Sequence, residues 1–237
     1  MRTEPADASQ FDASLVIEDR AIERDEMARL SVTGHAHRLV GCTLEAVDLS
    51  RLNLAGWMFE GCNVKKANFT GASLEATTWI RCKGGLAEFR ACHLTESWIE
   101  ATDFNNSNFQ GATLTDAVFA RCKLTGANLS EAKTVNLALD GTLLSQARLP
   151  GISFRKGRLT GISFEMADLR KCDFRDTVFQ DCSLRDANLA ECRFDGADLR
   201  GADLGGIRLL NAKQFRGATI SRDQAGQLLA ELGLKVR

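Results

Sequence analysis

Eight cysteines are the residues of this sequence with the widest chemical repertoire, because a thiolate can act as a nucleophile, a zinc ligand or half of a disulfide. All eight fall at the same place in a five-residue sequence period, two residues before a large apolar residue. We expect this place to be buried and the thiols to act as small apolar side chains. The eight residues are Cys42, Cys62, Cys82, Cys92, Cys122, Cys172, Cys182 and Cys192.

The spacing of the cysteines argues against their other roles. No Cys-x-x-Cys pair of the kind used by zinc sites is present, and thiolates in a dry column would be uncompensated charges. Disulfides remain the minor alternative. Parallel side chains one strand spacing apart, about 4.8 Å, lie outside the roughly 3.5–4.5 Å between Cβ atoms that a disulfide prefers. The sequence therefore predicts neither a metal site nor a cofactor site.

The remaining side chains that could do chemistry form no catalytic set. The sequence has no tyrosine and only three histidines, of which His35 and His37 are close in sequence and His93 is not. No Gly-rich phosphate-binding motif follows a predicted strand. An enzyme needs convergent groups in a cleft, and we predict that this protein is not an enzyme.

The element that positions all of these residues is a period of five. Starting at Leu39 and stepping by five to Leu209, 33 of 35 positions carry Leu, Phe, Val, Ile or Trp, and only Gly84 and Thr134 do not. An α-helix repeats every 3.6 residues and a strand every two, so each five-residue unit must turn a corner. Four corners close a coil of 20 residues, and stacked coils bury what one unit cannot. The period predicts an all-β, four-sided β-solenoid.

A second ladder supports this interpretation. Two residues before each large centre stands a small residue, and 12 of these 35 sites are Ala and eight are Cys. One large and one small side chain per face fill a narrow interior at protein density. Glycine recurs two residues after the centre, where a tight turn favours it; the examples are Gly61, Gly71, Gly111, Gly126 and Gly201. Gly84 is expected to leave one centre empty.

These runs resemble the pentapeptide-repeat family and its A(D/N)LXX consensus. Ala127-Asn128-Leu129 and Ala187-Asn188-Leu189 follow the consensus, as does the double unit 197–204. The resemblance covers residues 36–209 and implies a right-handed quadrilateral β-helix. With one strand spacing of about 4.8 Å per coil, the repeats would make a rod of about 42 Å.

The first 35 residues lack the full pattern. Residues 1–13 are polar and aperiodic, and we expect a mobile tail. Residues 15–17 are predicted to form a strand and residues 21–30 a helix. Because a solenoid needs its open end covered, residues 1–35 are interpreted as an N-terminal tail and cap. A tail for secretion or partner binding is the alternative.

Residues 210–237 are predicted to contain a C-terminal helix that caps the solenoid or forms a dimer. Ser221 starts the helix with Gln224 as its capping-box partner, and Gly233 stops it. Residues 234–236 are expected to form a short strand. The apolar stripe of the helix must be buried, either as a lid on the last coil or in a two-fold homodimer. Its predicted interface residues are Leu228, Leu229 and Leu232.

This C-terminal end, including Gly217-Ala218-Thr219-Ile220, resembles the quinolone-resistance (Qnr) and related topoisomerase-protecting pentapeptide proteins. The resemblance implies homodimerisation and a DNA-shaped protector that binds DNA gyrase or topoisomerase IV. Because no face carries a basic stripe, we expect no direct nucleic-acid binding. Outward side chains near the dimer centre would make the contact: Asp195, Asp198, Arg200 and Asp203. A generic scaffold, adaptor or secreted effector without a topoisomerase role is the alternative function.

The charge pattern does not resemble that of a polyanion. Net charge is −1, and residues 36–209 hold 21 acidic and 21 basic side chains. Residues 1–35 sum to −4 and residues 210–237 to +3. No apolar run is long enough for a membrane span and no secretory signal pattern is present, which favours a cytoplasmic protein. Ile80 and Trp98 point outward on one face of adjacent coils, where they predict a small apolar patch.

Overall fold

The structure is a computed structural model that describes residues 4–207, 212–231 and 233–235. The chain divides into two compact units, Met1–Ala138 and Leu139–Arg237. Each unit is a parallel β-solenoid, as the period of five predicts.

The first unit contains a series of three-residue strands that pair in parallel in chain order. Two 3₁₀ turns lie at Ala8–Gln10 and Ala13–Leu15, and the helix α1 spans Arg24–Ser31. The strands are β1 (Val16–Glu18), β2 (Arg38–Val40), β3 (Met58–Glu60), β4 (Thr78–Ile80), β5 (Trp98–Glu100) and β6 (Val118–Ala120). Strand β7 (Ala138–Asp140) contains the boundary between the units.

The second unit continues the same pattern of parallel pairs. Strand β7 pairs with β8, β8 pairs with β9, and the two-residue strands β10 and β11 pair with each other. A 3₁₀ turn at Ala212–Phe215 precedes the helix α2, Arg222–Glu231. The strands are β8 (Arg158–Thr160), β9 (Val178–Gln180), β10 (Cys182–Ser183) and β11 (Ala202–Asp203).

The register confirms a coil of 20 residues. Phe59 faces Trp79 in the parallel pair β3–β4, and on another face Asn68 bridges Glu88. Large centres on successive faces, such as Leu54, Phe59 and Val64, are fully buried. The large and small ladders therefore point inward in both units, and every fifth residue turns the chain.

The corner residue, two after each centre, takes a left-handed backbone. Its φ is about +60° whether it is glycine, as at Gly61, or another residue, as at Arg51. Gly201 is an exception, because its φ is not in the left-handed region. A Cβ there would lie 2.4 Å from the Phe179 carbonyl oxygen, so at Gly201 glycine is required by close backbone approach.

Aromatic rings stack along the interior of each unit. Phe89 and Phe109 lie parallel with ring centroids 4.7 Å apart, and Phe174 and Phe194 are stacked at 4.9 Å. The expectation of an empty centre at Gly84 is wrong. A Cβ at Gly84 would lie 2.3 Å from the ring of Phe104, so this ring occupies the space that the missing side chain leaves.

The ladder extends past both ends of the predicted segment 36–209. Val16 pairs with Arg38, so the predicted N-terminal strand forms there, shifted by one residue. The helix α1 begins three residues later than the predicted helix 21–30 and ends one residue later. At the other end, Asp198 bridges Thr219, 21 residues away. Phe215 stacks on Phe194 at 4.9 Å. The coil that contains Phe215 and Thr219 holds one extra residue, so a strict period of five does not detect it. That the segments 1–35, 36–209 and 210–237 are separate domains stays a prediction.

Candidate interaction surfaces

The eight thiols are free and buried, in the small inward sites where the period places them. The Sγ–H of each of six donates to the carbonyl of the large centre 23 residues earlier, as from Cys192 to Leu169 O at 2.9 Å. Cys42 donates instead to Ile17 O, 25 residues earlier, at 3.3 Å. Ser107 and Thr177 make the same bond with their hydroxyls. Small donors are therefore selected at this site, which explains its Cys, Ser and Thr content.

Seven of the eight thiols are poorly suited to catalysis because burial raises their pKa, whereas the interaction with Cys82 lowers the pKa of Cys62. Burial raises the pKa of Cys122 and of Cys192 to about 12, and it raises the pKa of Cys92 and Cys172 further. Protonated thiols are neither good nucleophiles nor metal ligands. Among the residues that the structure describes, no group of three or more His, Cys, Asp or Glu side chains is arranged to hold a metal ion.

His37 is the odd occupant of a small site at the N-terminal end of the first unit. It is 5% exposed and packs on Trp57 with ring centroids 4.9 Å apart. Neither ring nitrogen has a hydrogen-bond partner among the described residues. Burial lowers the pKa of His37, and the Leu15 carbonyl and His35 act more weakly, in opposite directions. The neutral ring packs in the first coil, and protonation of the ring would destabilise the folded state.

The four predicted partner-binding residues lie on the last described coils of the second unit. Arg200 forms a bidentate pair with Asp198, at 2.9 and 2.6 Å, and this pairing lowers the pKa of Asp198 and raises that of Arg200. Asp203 accepts from Arg185 at 2.9 Å, and Asp195 is partly exposed. Most of the acidic charge at this predicted site is thus already paired with arginine.

The C-terminal helix packs against its own last coil. The capping box forms as predicted, since Ser221 N–H donates to Gln224 Oε1 at 2.7 Å and Gln224 N–H donates to Ser221 Oγ at 3.1 Å. The side chain of Gln224 donates to the carbonyls of Leu199 and Ala202, at 2.7 and 2.6 Å. Leu228 is buried at 6% exposure beside an apolar cavity of about 170 Å³. The helix therefore acts as a lid.

This packing changes the predicted dimer interface. Leu228 is covered by its own chain, Leu229 is 39% exposed, and Leu232 lies outside the described residues. Leu234 N–H donates to Leu229 O, and Gly233 has the left-handed backbone of a helix stop, as predicted. Residues 234 and 235 form no strand, and residue 236 lies outside the described part of the chain, so the predicted terminal strand is not found where it can be assessed.

The outer face of β2–β6, in the first unit, carries apolar side chains where neighbouring faces carry polar ones. The predicted patch at Ile80 and Trp98 is present and larger than expected, because Met58, Val118 and Ala120 belong to it. On this face the chain forms the three-residue strands β2–β6, which favour β-branched and aromatic side chains. The outward residues of this outer face are Arg38, Val40, Met58, Glu60, Thr78, Ile80, Trp98, Glu100, Val118 and Ala120.

Residues 4–8, which we call the N-terminal strap, lie on the outer face. The Ala6 N–H donates to Thr78 Oγ1 at 3.3 Å. Met58 is 2% exposed and Thr78 1% although both point away from the core. The expectation of a featureless mobile tail over residues 1–13 is therefore wrong for the strap and for the two 3₁₀ turns that follow it. The sequence did not predict the strap, because residues 4–8 have no periodic pattern. The apolar outward residues of β2–β6 were the one indication that another segment covers this face.

These features, a square parallel solenoid with an apolar interior and a five-residue register, define a pentapeptide-repeat protein, and the chain belongs to that family. The family described as "Pentapeptide repeats" matches in eight copies, at residues 38–75, 87–126, 102–133, 138–176 and 167–206. Comparison with curated protein sequences gives no match.

The chain is similar to two solved structures, and the first of them shows the same fold. Full-length QnrB1, described as a plasmid-mediated fluoroquinolone resistance protein, is 17% identical with a TM-score of 0.62, over 92% of this chain and 97% of that one. HetL, from the cyanobacterium Nostoc sp. strain PCC 7120 and described as involved in heterocyst differentiation regulation, is 18% identical with a TM-score of 0.48, over 79% and 86%. Over the described residues of this chain, no helix is both long and apolar enough to cross a bilayer.

Proposed function

We propose that this protein is a non-enzymatic binding protein that protects a type II topoisomerase, DNA gyrase or topoisomerase IV, from quinolones or gyrase toxins. The observation that carries the proposal is the likeness to the fluoroquinolone resistance protein QnrB1 along nearly the whole of both chains. The filled interior supports a role for the outer surface, because a closely packed core leaves the outer faces as the surfaces that a partner can contact. The protein would occupy the DNA-entry surface of the enzyme and release trapped cleavage complexes.

The net charge of the repeats determines how the protein would recognise the enzyme. Residues 36–209 are neutral, with 21 acidic and 21 basic side chains, and the Asp198–Arg200 pair is internally balanced. Long-range steering toward a DNA-binding surface is therefore weak, and recognition rests on shape and short-range contacts. Asp195, Asp198, Arg200 and Asp203 are the proposed contact residues, and binding should depend only mildly on salt.

The test is gyrase supercoiling, and the corresponding topoisomerase IV decatenation, with and without a quinolone and with purified protein titrated in. Restored activity in the presence of the quinolone is expected. A variant with both Asp198→Ala and Arg200→Ala keeps the net charge unchanged and removes one proposed contact pair. Neither protection nor inhibition at tens of micromolar would refute the topoisomerase role.

Homodimerisation through the C-terminal helix is the second part of the proposal. The exposed Leu229 supplies the apolar contact, whereas Leu228 is buried in the lid. Light scattering on the full chain should report a dimer, and Leu229→Glu should report a monomer with an unchanged far-UV spectrum. A native chain that is monomeric at micromolar concentration would leave the helix only its role as a lid.

A generic scaffold or adaptor is the second candidate function, and one observation favours it. The acidic side chains at the predicted site are paired with arginines of the same chain, which is not the surface of a polyanion. Loss of protection together with capture of a defined protein partner would favour this alternative.

A further inference from the structure

The outer face of β2–β6 combines an apolar floor with unbalanced positive charge. Arg38 and Arg81 both pair with Glu60, at 2.7 and 2.6 Å. Two cations on one anion leave one net positive charge on the outer face itself, at the edge of the apolar patch, and Glu4 and Asp7 of the strap line the same cleft. The Nε–H of Arg38 is buried, and it has no hydrogen-bond partner among the described residues. A buried donor without an acceptor costs free energy that an incoming oxygen ligand would recover.

The strap covers this place incompletely. Residues 4–8 and the outer face enclose an open cleft of about 470 Å³ that Arg38, Met58 and Arg81 line. The 3.3 Å bond from Ala6 to Thr78 is longer than a typical hydrogen bond. The Asp7 carboxylate accepts from Ser9 N–H at 2.9 Å, so it caps its own turn. The strap thus brings an acidic segment to the arginines without satisfying the Arg38 donor.

The outer face continues past the strap to Trp98, whereas Val118 and Ala120 of β6 are each only 6% exposed. Trp98 is only partly buried, and its indole N–H donates to Glu100 Oε2 at 2.9 Å. Tryptophan and arginine, with tyrosine, are enriched among the side chains that contribute most of the binding energy of protein interfaces. From β2 to β6 are four strand spacings, about 19 Å, which an extended segment of about six residues would span.

We propose that the outer face of β2–β6 is a binding surface for an extended acidic segment of a partner protein, and that the strap is its tethered occupant. The partner segment would place a carboxylate on Arg38 Nε and small apolar side chains over Met58 and Ile80, and would continue toward Trp98. Because a tethered competitor acts at a high effective concentration, partners must displace the strap, which makes binding selective. This inference does not depend on the proposed topoisomerase role.

The binding test uses full-length protein and a fluorescein-labelled peptide with the sequence of residues 1–12. The variant Ala6→Pro removes the N–H that bonds to Thr78 while leaving the outer face unchanged. The peptide should bind to the Ala6→Pro chain about fivefold more tightly than to the native chain, as expected for the loss of one hydrogen bond by the competitor.

Two arginine variants, each made in the Ala6→Pro chain, form a matched pair. Arg38→Gln should reduce peptide binding at least tenfold, because it removes the proposed carboxylate ligand. Arg90→Gln should leave binding unchanged, since Arg90 lies on another face with a loose 3.8 Å ion pair. Equal losses in both, equal affinity of the native and Ala6→Pro chains, or displacement of the peptide by an oligonucleotide but not by an unlabelled acidic peptide would overturn the proposal.

Methionine oxidation, read by mass spectrometry, keeps the proposal testable if Arg38→Gln does not fold. Met58 should react slowly in the native chain, faster in Ala6→Pro, and slowly again when the peptide is added. Met166, which is 49% exposed, and Met27, which is fully buried, provide fast and slow references within the same molecule. Oxidation of Met58 at one rate in all three conditions would overturn the role of the strap.

Discussion

Truncation of Phe109 to alanine is the most direct test of the inward ladder. The Phe109 ring is fully buried, and it is stacked on Phe89 at 4.7 Å. The rings of Phe104 and Phe119 contact it edge-on, at 5.8 and 5.9 Å. The surrounding coils cannot close the cavity easily, because backbone hydrogen bonds such as Phe109 N–H to Asn128 O, at 2.7 Å, fix their spacing.

The expected loss for Phe109→Ala is about 4–5 kcal/mol, the upper part of the usual range for a buried phenylalanine, because aromatic contacts are lost with the apolar burial. Phe109→Leu keeps most of the volume and should cost about 1–2 kcal/mol. Asn128→Ala is the outward control. It removes a 3.3 Å side-chain bond to Asn108 and the acceptor for Ser130 N–H, and should cost about 0.5–1 kcal/mol.

The assay is equilibrium unfolding in urea, followed by circular dichroism, with the denaturant slope checked in every variant because stacked coils can unfold in parts. Free energies of unfolding that fall equally in Phe109→Ala and Asn128→Ala would refute the inward register. A Phe109→Ala loss below about 1 kcal/mol would show that the coils collapse around the cavity.

Three further predictions concern other parts of the chain. Burial lowers the pKa of His37, so the folded state binds this proton less readily than the unfolded state; stability should fall as pH drops below about 6.5, the unfolded value. His37→Leu should flatten this dependence and His93→Leu should not, as judged by urea midpoints across that range. Gly201→Ala places a Cβ 2.4 Å from the Phe179 carbonyl oxygen and should lower the free energy of unfolding by about 1–3 kcal/mol. Gly226→Ala, in open space on α2, should raise it by about 0.5–1 kcal/mol. Thermal melts that rank the two variants the other way would contradict this packing. All eight cysteines should react slowly with a thiol reagent in the native protein and completely in urea, and rapid labelling of several native thiols would contradict their burial.

The period of five by itself determined the coil, its 20-residue register and the inward positions of the cysteines. A strict repeat leaves few alternatives, because each unit must bury the same face against its neighbours. The same logic failed wherever the repeat was broken. Phe104 fills the space at Gly84 from the same face of the next coil, 20 residues later, and Phe215 resumes the ladder after one extra residue; the period alone predicts neither contact.

The tertiary structure alone decided what lies on the outside. The strap and the lid have little periodic signal, since their positions depend on single contacts such as Ala6 with Thr78 and Gln224 with Leu199. The sequence predicted a helix after Ser221 with an apolar stripe, and left open whether a lid or a dimer would bury it; only the tertiary contacts showed that Leu228 is buried in its own chain. The inward positions repeat in sequence because each coil packs on the next in the same way. The surface contacts of the strap and the lid each occur once, so a sequence period cannot predict them.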